Sequence, residues 1–109
     1  MKDGKPNFRY TVFEIGDVTI PGTVKLPEGA VTLKTEFIPD GVPEGAGTLK
    51  LYVNDQPAGA GHLSQTLFRH GLEPFEVGRD SITAIAPEYQ DQGKFEFTGQ
   101  IEQVAFALK

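Results

Sequence analysis

Two histidines, two serines and a scatter of carboxylates are the side chains here that could move a proton or attack a carbonyl. His62 and His70, with Asp80 and Ser64, supply the residue types of a hydrolytic triad. A triad is defined by geometry, however, and residue types alone do not make one. Neither Ser64 in "LSQ" nor Ser81 in "DSI" sits in the G-x-S-x-G turn that lifts a nucleophile out of a strand-to-helix corner. The histidines stand eight apart, not at the i, i+4 spacing of a helical zinc pair, so they read as solvated or hydrogen-bonded side chains rather than ligands. Glu73 and Glu76 flank Pro74-Phe75, and Glu96 and Glu102 flank Phe97–Gly99. A glycosidase would need two such acids held across a cleft, and one sandwich group of these enzymes sets E-x-D-x-x-E on a single strand. Nothing here matches that pattern, and solvated charges on a wet face account for both pairs. Asp40, Asp55, Asp80 and Asp91 are spread singly, whereas a calcium loop gathers its oxygen ligands. "GVPEGAG" lacks the Lys-Ser/Thr that follows the glycines of a phosphate cradle. Tyr10, Tyr52 and Tyr89, joined by Phe68, could stack sugar rings if one curved face exposed them, although tyrosines sit more often half-buried at a sheet margin. The expected cofactor set is empty.

The elements that position these groups are strands. Thirteen Gly and eight Pro punctuate 109 residues, and between them period-2 alternation survives while no helical stripe does. "FRYTVFEI" (8–15) reads as one strand with a twist or bulge, placing Phe8, Tyr10 and Val12 on one side; "DVTI" (17–20) extends it to a Pro21-Gly22 turn. "TVKL" (23–26) is a short strand. "AVTLKTEF" (30–37) turns Val31, Leu33, Thr35 and Phe37 one way and Thr32, Lys34 and Glu36 the other, as a half-buried antiparallel strand does. "IPDGVPEGAG" (38–47) is a loop. "TLKLYV" (48–53) puts Leu49, Leu51 and Val53 inward, then meets Asn54-Asp55. A two-residue hairpin loop needs positive φ at both centres, which Asn and Asp tolerate, so the pair reads as a corner and not a ligand site. Pro57, with no N–H to donate, places the returning strand at an edge. "FEVG" (75–78) is a further strand, "SITAIAPEY" (81–89) a short strand or crossing loop, and "KFEFTGQIEQVAFALK" (94–109) closes the chain with a bend at Gly99. The expected fold is all-β: a single domain over 1–109, an antiparallel two-sheet sandwich with little or no helix.

The balance of charge narrows the partners. A net charge of −5 and a pI near 4.9 lack the basic footprint that nucleic acid or an anionic membrane requires. No apolar run approaches the ~18–20 residues of a spanning helix. "MKDGKPNFRY" has no apolar core of a signal peptide. Without cysteine there is no disulfide frame, thiolate metal site or thiol nucleophile.

Four segments in order, "GTLKLYVNDQPAGAG", "FEVGRD", "EY" and "FEFTGQIEQVAFAL", resemble the C-terminal region of bacterial arylsulfatases, downstream of their catalytic domain. That family pattern runs L-Y-V-N-G, then F-D-V-G-x-D-x-G-x-P-V-x-x-x-Y, then F-x-F-T-G-x-I-x-x-V-x-φ-x-L. Leu51-Tyr52-Val53-Asn54 match the first part. Phe75, Val77, Gly78, Asp80, Thr83 and Tyr89 match the second. Phe95, Phe97, Thr98, Gly99, Ile101, Val104, Phe106 and Leu108 match the third. "LPEGAVTLKTEFIPDG" resembles the preceding family strand. The likeness covers about 30–109 closely and 1–29 loosely. It implies a concanavalin/laminin-G-like jelly roll with Leu51, Val53, Phe75, Val77, Phe95, Phe97, Val104, Phe106 and Leu108 in the core, and Gly78 and Gly99 at bends. Asp55 replaces the turn glycine, and Ile82 and Ala84 replace a Gly and a Pro. The sulfatase nucleophile motif, Cys or Ser followed by x-Pro-x-Arg, is absent, as are the metal-binding Asp and Asn residues of the sulfatase catalytic domain. The resemblance therefore implies a non-catalytic accessory domain that packs on a sulfatase catalytic domain or on itself. A carbohydrate-binding, lectin-like module using Tyr10, Tyr52 and Tyr89 is the alternative, and a small hydrolase built on His62 or His70 a third.

Overall fold

A computed structural model describes residues 1–12, 16–43, 45–66, 76–79 and 97–108. They fall in two compact units, Met1–Arg69 and His70–Lys109. The fold is all-β, with five strands in two antiparallel sheets and no helix among the described residues.

In the first unit, β1 (Asn7–Val12) and β2 (Gly16–Pro21) form a two-stranded ribbon. The expected single strand over 8–15 is therefore corrected: β2 does not extend β1 but folds back along it, pairing Val12 with Gly16. Residues 13–15, between the two strands, lie outside the described residues. The cross-strand pairs Phe8–Ile20 and Tyr10–Val18 give the ribbon its apolar side. On the other side, the Asp17 carboxylate accepts hydrogen bonds from Thr11 directly opposite and from the Arg9 guanidinium.

The second sheet runs in the order β3–β4–β5, with β3 spanning Leu33–Pro39, β4 Gly47–Val53 and β5 Gln56–Leu63. β4 alternates strictly, burying Leu49, Leu51 and Val53. Asn54 and Asp55 make the β4–β5 corner with φ of 48° and 65°, as a type I′ loop demands. Asn54 also clamps the entry to β3: its N–H donates to Thr32 O and its Oδ1 accepts from Thr32 N–H, both at 2.9 Å. Pro57 lies in β5, an edge strand among the described residues, as its missing donor requires.

The ribbon packs against β5, and the glycines of "PAGAGHL" explain how. Ile20, only 2% exposed, sits where a Cβ on Gly61 would meet its Cγ1 at 2.6 Å, and a Cβ on Gly59 its Cγ2 at 3.7 Å. Two bare positions on one face of β5 thus make a notch for one branched side chain. A bulge between the Leu51 and Tyr52 pairings leaves Ala58 as the extra residue of β5. Its carbonyl accepts the Thr23 N–H at 2.7 Å, fastening the end of the ribbon across the edge. Ile20, Leu49, Leu51 and Leu63 form the core, with Phe8, Tyr10 and Val18 against it.

Three expectations are corrected. Residues 23–26 form no strand; the segment bends at Val24 and is tied by Thr23 and by Leu26, whose N–H donates to Gly4 O at 2.8 Å. β3 does not show the expected half-buried alternation: Leu33 and Phe37 share the side of Val53 and Leu49 but are 51% and 40% exposed, and Glu36 is its one half-buried residue. The ribbon lies over β5, on the far side of β4 from β3. In the second unit, residues 76–79 form a bend, and 97–108 carry no strand. Val77, Phe97, Val104, Phe106 and Leu108 are exposed, the last two by 74% and 98%, so alternation there marks no buried face. Gly78 and Gly99 stand at bends, Gly78 with φ of 81°. Phe75 and Phe95 lie outside the described residues. At the N-terminal end Asp3-Gly4 turns a bridge between Lys2 and Lys5, a dipeptide that favours such corners.

Candidate functional site

The outward face of the three-stranded sheet carries the groups with chemistry. Register sets its rows: Lys34–Tyr52–Pro57 beside the corner, Glu36–Lys50–Ala60 in the middle, and Ile38–Thr48–His62 at the far end. Beyond Ile38, Asp40 lies on the same side of the chain, and its Oδ2 stands 2.8 Å from His62 Nε2. Backbone hydrogen bonds tie the described residues on either side of Glu44. Asp40 N–H donates to Ala46 O (2.9 Å), and Gly45 N–H donates to Val42 O (3.1 Å). Thr66 Oγ1 then donates to Gly45 O at 2.8 Å, and a Cβ on Gly45 would stand 2.4 Å from that hydroxyl.

An imidazole oriented by a carboxylate is the base half of a hydrolytic dyad. The nucleophile half does not join it: Ser64 is exposed and makes no hydrogen bond to His62 among the described residues. Both partners are exposed, so no dry environment amplifies their charges. Sequence reading missed this pair because 22 residues separate its members. Only the β3–β4–β5 register brings them together.

The tyrosines diverge. Tyr10 packs against the core, whereas Tyr52 lies on the opposite side of β4 from Leu51 and Val53. The Lys34 ammonium stands over the Tyr52 ring, 4.5 Å from its centroid, and also reaches Asp55 Oδ1 at 3.2 Å. One face of that ring is thus occupied by a cation. Tyr89, Phe68, His70, Asp80, Ser81, Glu73, Glu96 and Asp91 lie outside the described residues. Among the described residues, no three His, Asp or Glu side chains converge as a metal site.

In the second unit, Val77, Gly78, Arg79, Phe97, Gly99 and Ile101 line an open hollow of about 280 Å³. It is held by the Phe97 N–H donating to Gly78 O (2.6 Å) and flanked by the Arg79–Glu76 ion pair (3.2 Å). The carboxylate of Glu76 meets a guanidinium there rather than a second acid. The Thr11 hydroxyl, then Arg9, hold the Asp17 carboxyl below its ordinary value of 3.8. That pair joins the two strands of the ribbon.

Compared with protein-family models, curated proteins and solved structures, the chain matches none.

Proposed function

We propose that this chain is a non-catalytic accessory β domain, related in kind to the C-terminal domain of arylsulfatases, which works by docking on a catalytic domain. The carrying observation is the sheet face that begins as core and ends bare. Leu49, Leu51 and Val53 are buried, while Leu33 and Phe37, across from them on β3, stay exposed. An apolar face half covered by its own chain is suited to completion by another surface. The acid and base groups support the same reading, since His62 and Asp40 are both exposed and no serine hydroxyl bonds to His62 among the described residues. No serine is followed by x-Pro-x-Arg, and there is no cysteine. The jelly-roll strand order and the sulfatase partner rest on the sequence resemblance alone. The carbohydrate-binding alternative has less support, because Tyr10 and Tyr52 do not share a face.

The test is docking in trans. A bacterial arylsulfatase trimmed of its C-terminal region is mixed with the purified chain, and its thermal unfolding is followed. A concentration-dependent rise in the unfolding temperature, weakened by Phe37→Ser, is expected. No rise at saturating chain, or a rise indifferent to Phe37, counts against docking through this face.

A further inference from the structure

We propose that the free edge of β3 pairs antiparallel with β3 of a second copy, in a register centred on Thr35. This rests on the docking reading and assigns the partner of one edge. Backbone direction comes first. Asn54 N–H reaches Thr32 O and Asp40 N–H reaches Ala46 O, so even-numbered β3 residues point their amides and carbonyls at β4. Alternation turns those of Leu33, Thr35 and Phe37 outward, to an edge that no strand covers among the described residues. A strand seeking this edge must therefore present odd residues opposite odd residues.

Charge then selects the register. Centred on Glu36, two carboxylates would face each other across the dyad; centred on Lys34, two ammoniums would. Centred on Thr35, Lys34 of each copy faces Glu36 of the other on the outward side, twice by symmetry. Leu33 meets Phe37 of the other copy on the inward side, also twice. The two most exposed apolar side chains of the inward row, 51% and 40% exposed, become each other's neighbours, and six backbone hydrogen bonds close the ladder in the favourable parity. Lys34 already leans on Tyr52 and Asp55, which holds its ammonium on the outward face where the pair forms. Exposed apolar edges of this kind are pairing templates, and the isologous contact closes as a dimer rather than a fibre.

The experiment uses the full chain, with sedimentation velocity from micromolar to near-millimolar concentration. Wild type should dimerise reversibly. Lys34→Glu and Glu36→Lys should each weaken association by about tenfold, since attraction becomes repulsion at two symmetric positions. The double reversal should restore it. Thr35→Cys supplies an independent readout in a chain without cysteine. At the dyad the two Cα atoms would lie ~5.5 Å apart, within the ~4.4–6.8 Å a disulfide spans, so mild oxidation should yield a covalent dimer. A monomer at every concentration overturns the proposal. So does a dimer that ignores both reversals, or one lost on deleting residues 101–108, which would make that segment the occupant of the edge. A failed dimer with intact docking on the trimmed sulfatase would remove this inference alone.

Discussion

Ile20 and Gly61 should behave as one packing unit. Ile20→Ala removes three carbons from a side chain 2% exposed, over a strand whose facing positions are glycines with nothing to collapse inward. A cost of about 3 kcal/mol follows, within the range for such deletions. Gly61→Ala alone puts a Cβ 2.6 Å from Ile20 Cγ1 and 2.9 Å from its Cδ1. Overpacking, partly offset by removal of a strand-interior glycine, sets its cost near about 1.5 kcal/mol. In the double variant those two carbons are gone, and the Cβ of residue 20 stands 3.7 Å from the new methyl. That is ordinary contact, and the methyl refills part of the void. The pair should therefore cost about 3 kcal/mol, not the additive ~4.5, a coupling of roughly 1.5 kcal/mol. Urea unfolding followed by far-UV circular dichroism and tyrosine fluorescence reads all four corners of the cycle. Additivity within about 0.5 kcal/mol would refute the wedge of Ile20 into the glycine notch.

Other outcomes follow from the same contacts. Asn54→Ala loses both the positive-φ tolerance and the acceptor for Thr32 N–H, and should cost about 1–2 kcal/mol; Asn54→Gly, which keeps the corner, should cost about half, as read by urea midpoints. Asp55→Gly should raise the thermal midpoint slightly, gaining about 0.5 kcal/mol, because glycine suits φ of 65° and the exposed Lys34 pair it loses is weak. Asp17 has a folded-state pKa below its unfolded value, so its contribution is full above about pH 3.8 and disappears as pH falls through the folded pKa. The stability gap between wild type and Asp17→Asn should close over that acid interval; a gap unchanged down to the lowest pH would contradict the Thr11–Asp17–Arg9 arrangement. His62→Ala should shift stability by no more than about 0.5 kcal/mol, since its carboxylate partner is solvent-exposed.

What could be read from the chain divides along local and non-local lines. The Asn54-Asp55 corner, the inward row Leu49–Leu51–Val53 and the edge position of Pro57 are local consequences of turn chemistry and alternation, and the structure has them. The β1–β2 pairing was hidden because both runs of "FRYTVFEIGDVTI" alternate and no Pro or Asn-Gly pair separates them. Alternation placed Leu33 and Phe37 on the correct side but could not say what covers it, since burial depends on where the ribbon lands. The same limit applies to Val104, Phe106 and Leu108, whose period of two is kept on an exposed segment. The His62–Asp40 pair is non-local throughout: neither residue has a neighbour in sequence that hints at the other.

The most direct test of the proposal that this domain docks and performs no chemistry is turnover by the purified chain, with nitrophenyl sulfate and nitrophenyl acetate as substrates, beside His62→Ala and Asp40→Asn. Hydrolysis no faster than in buffer, and identical in the three proteins, is the expected result. Multiple turnovers by the wild type that disappear in either variant would make the imidazole–carboxylate pair a working base and contradict the account.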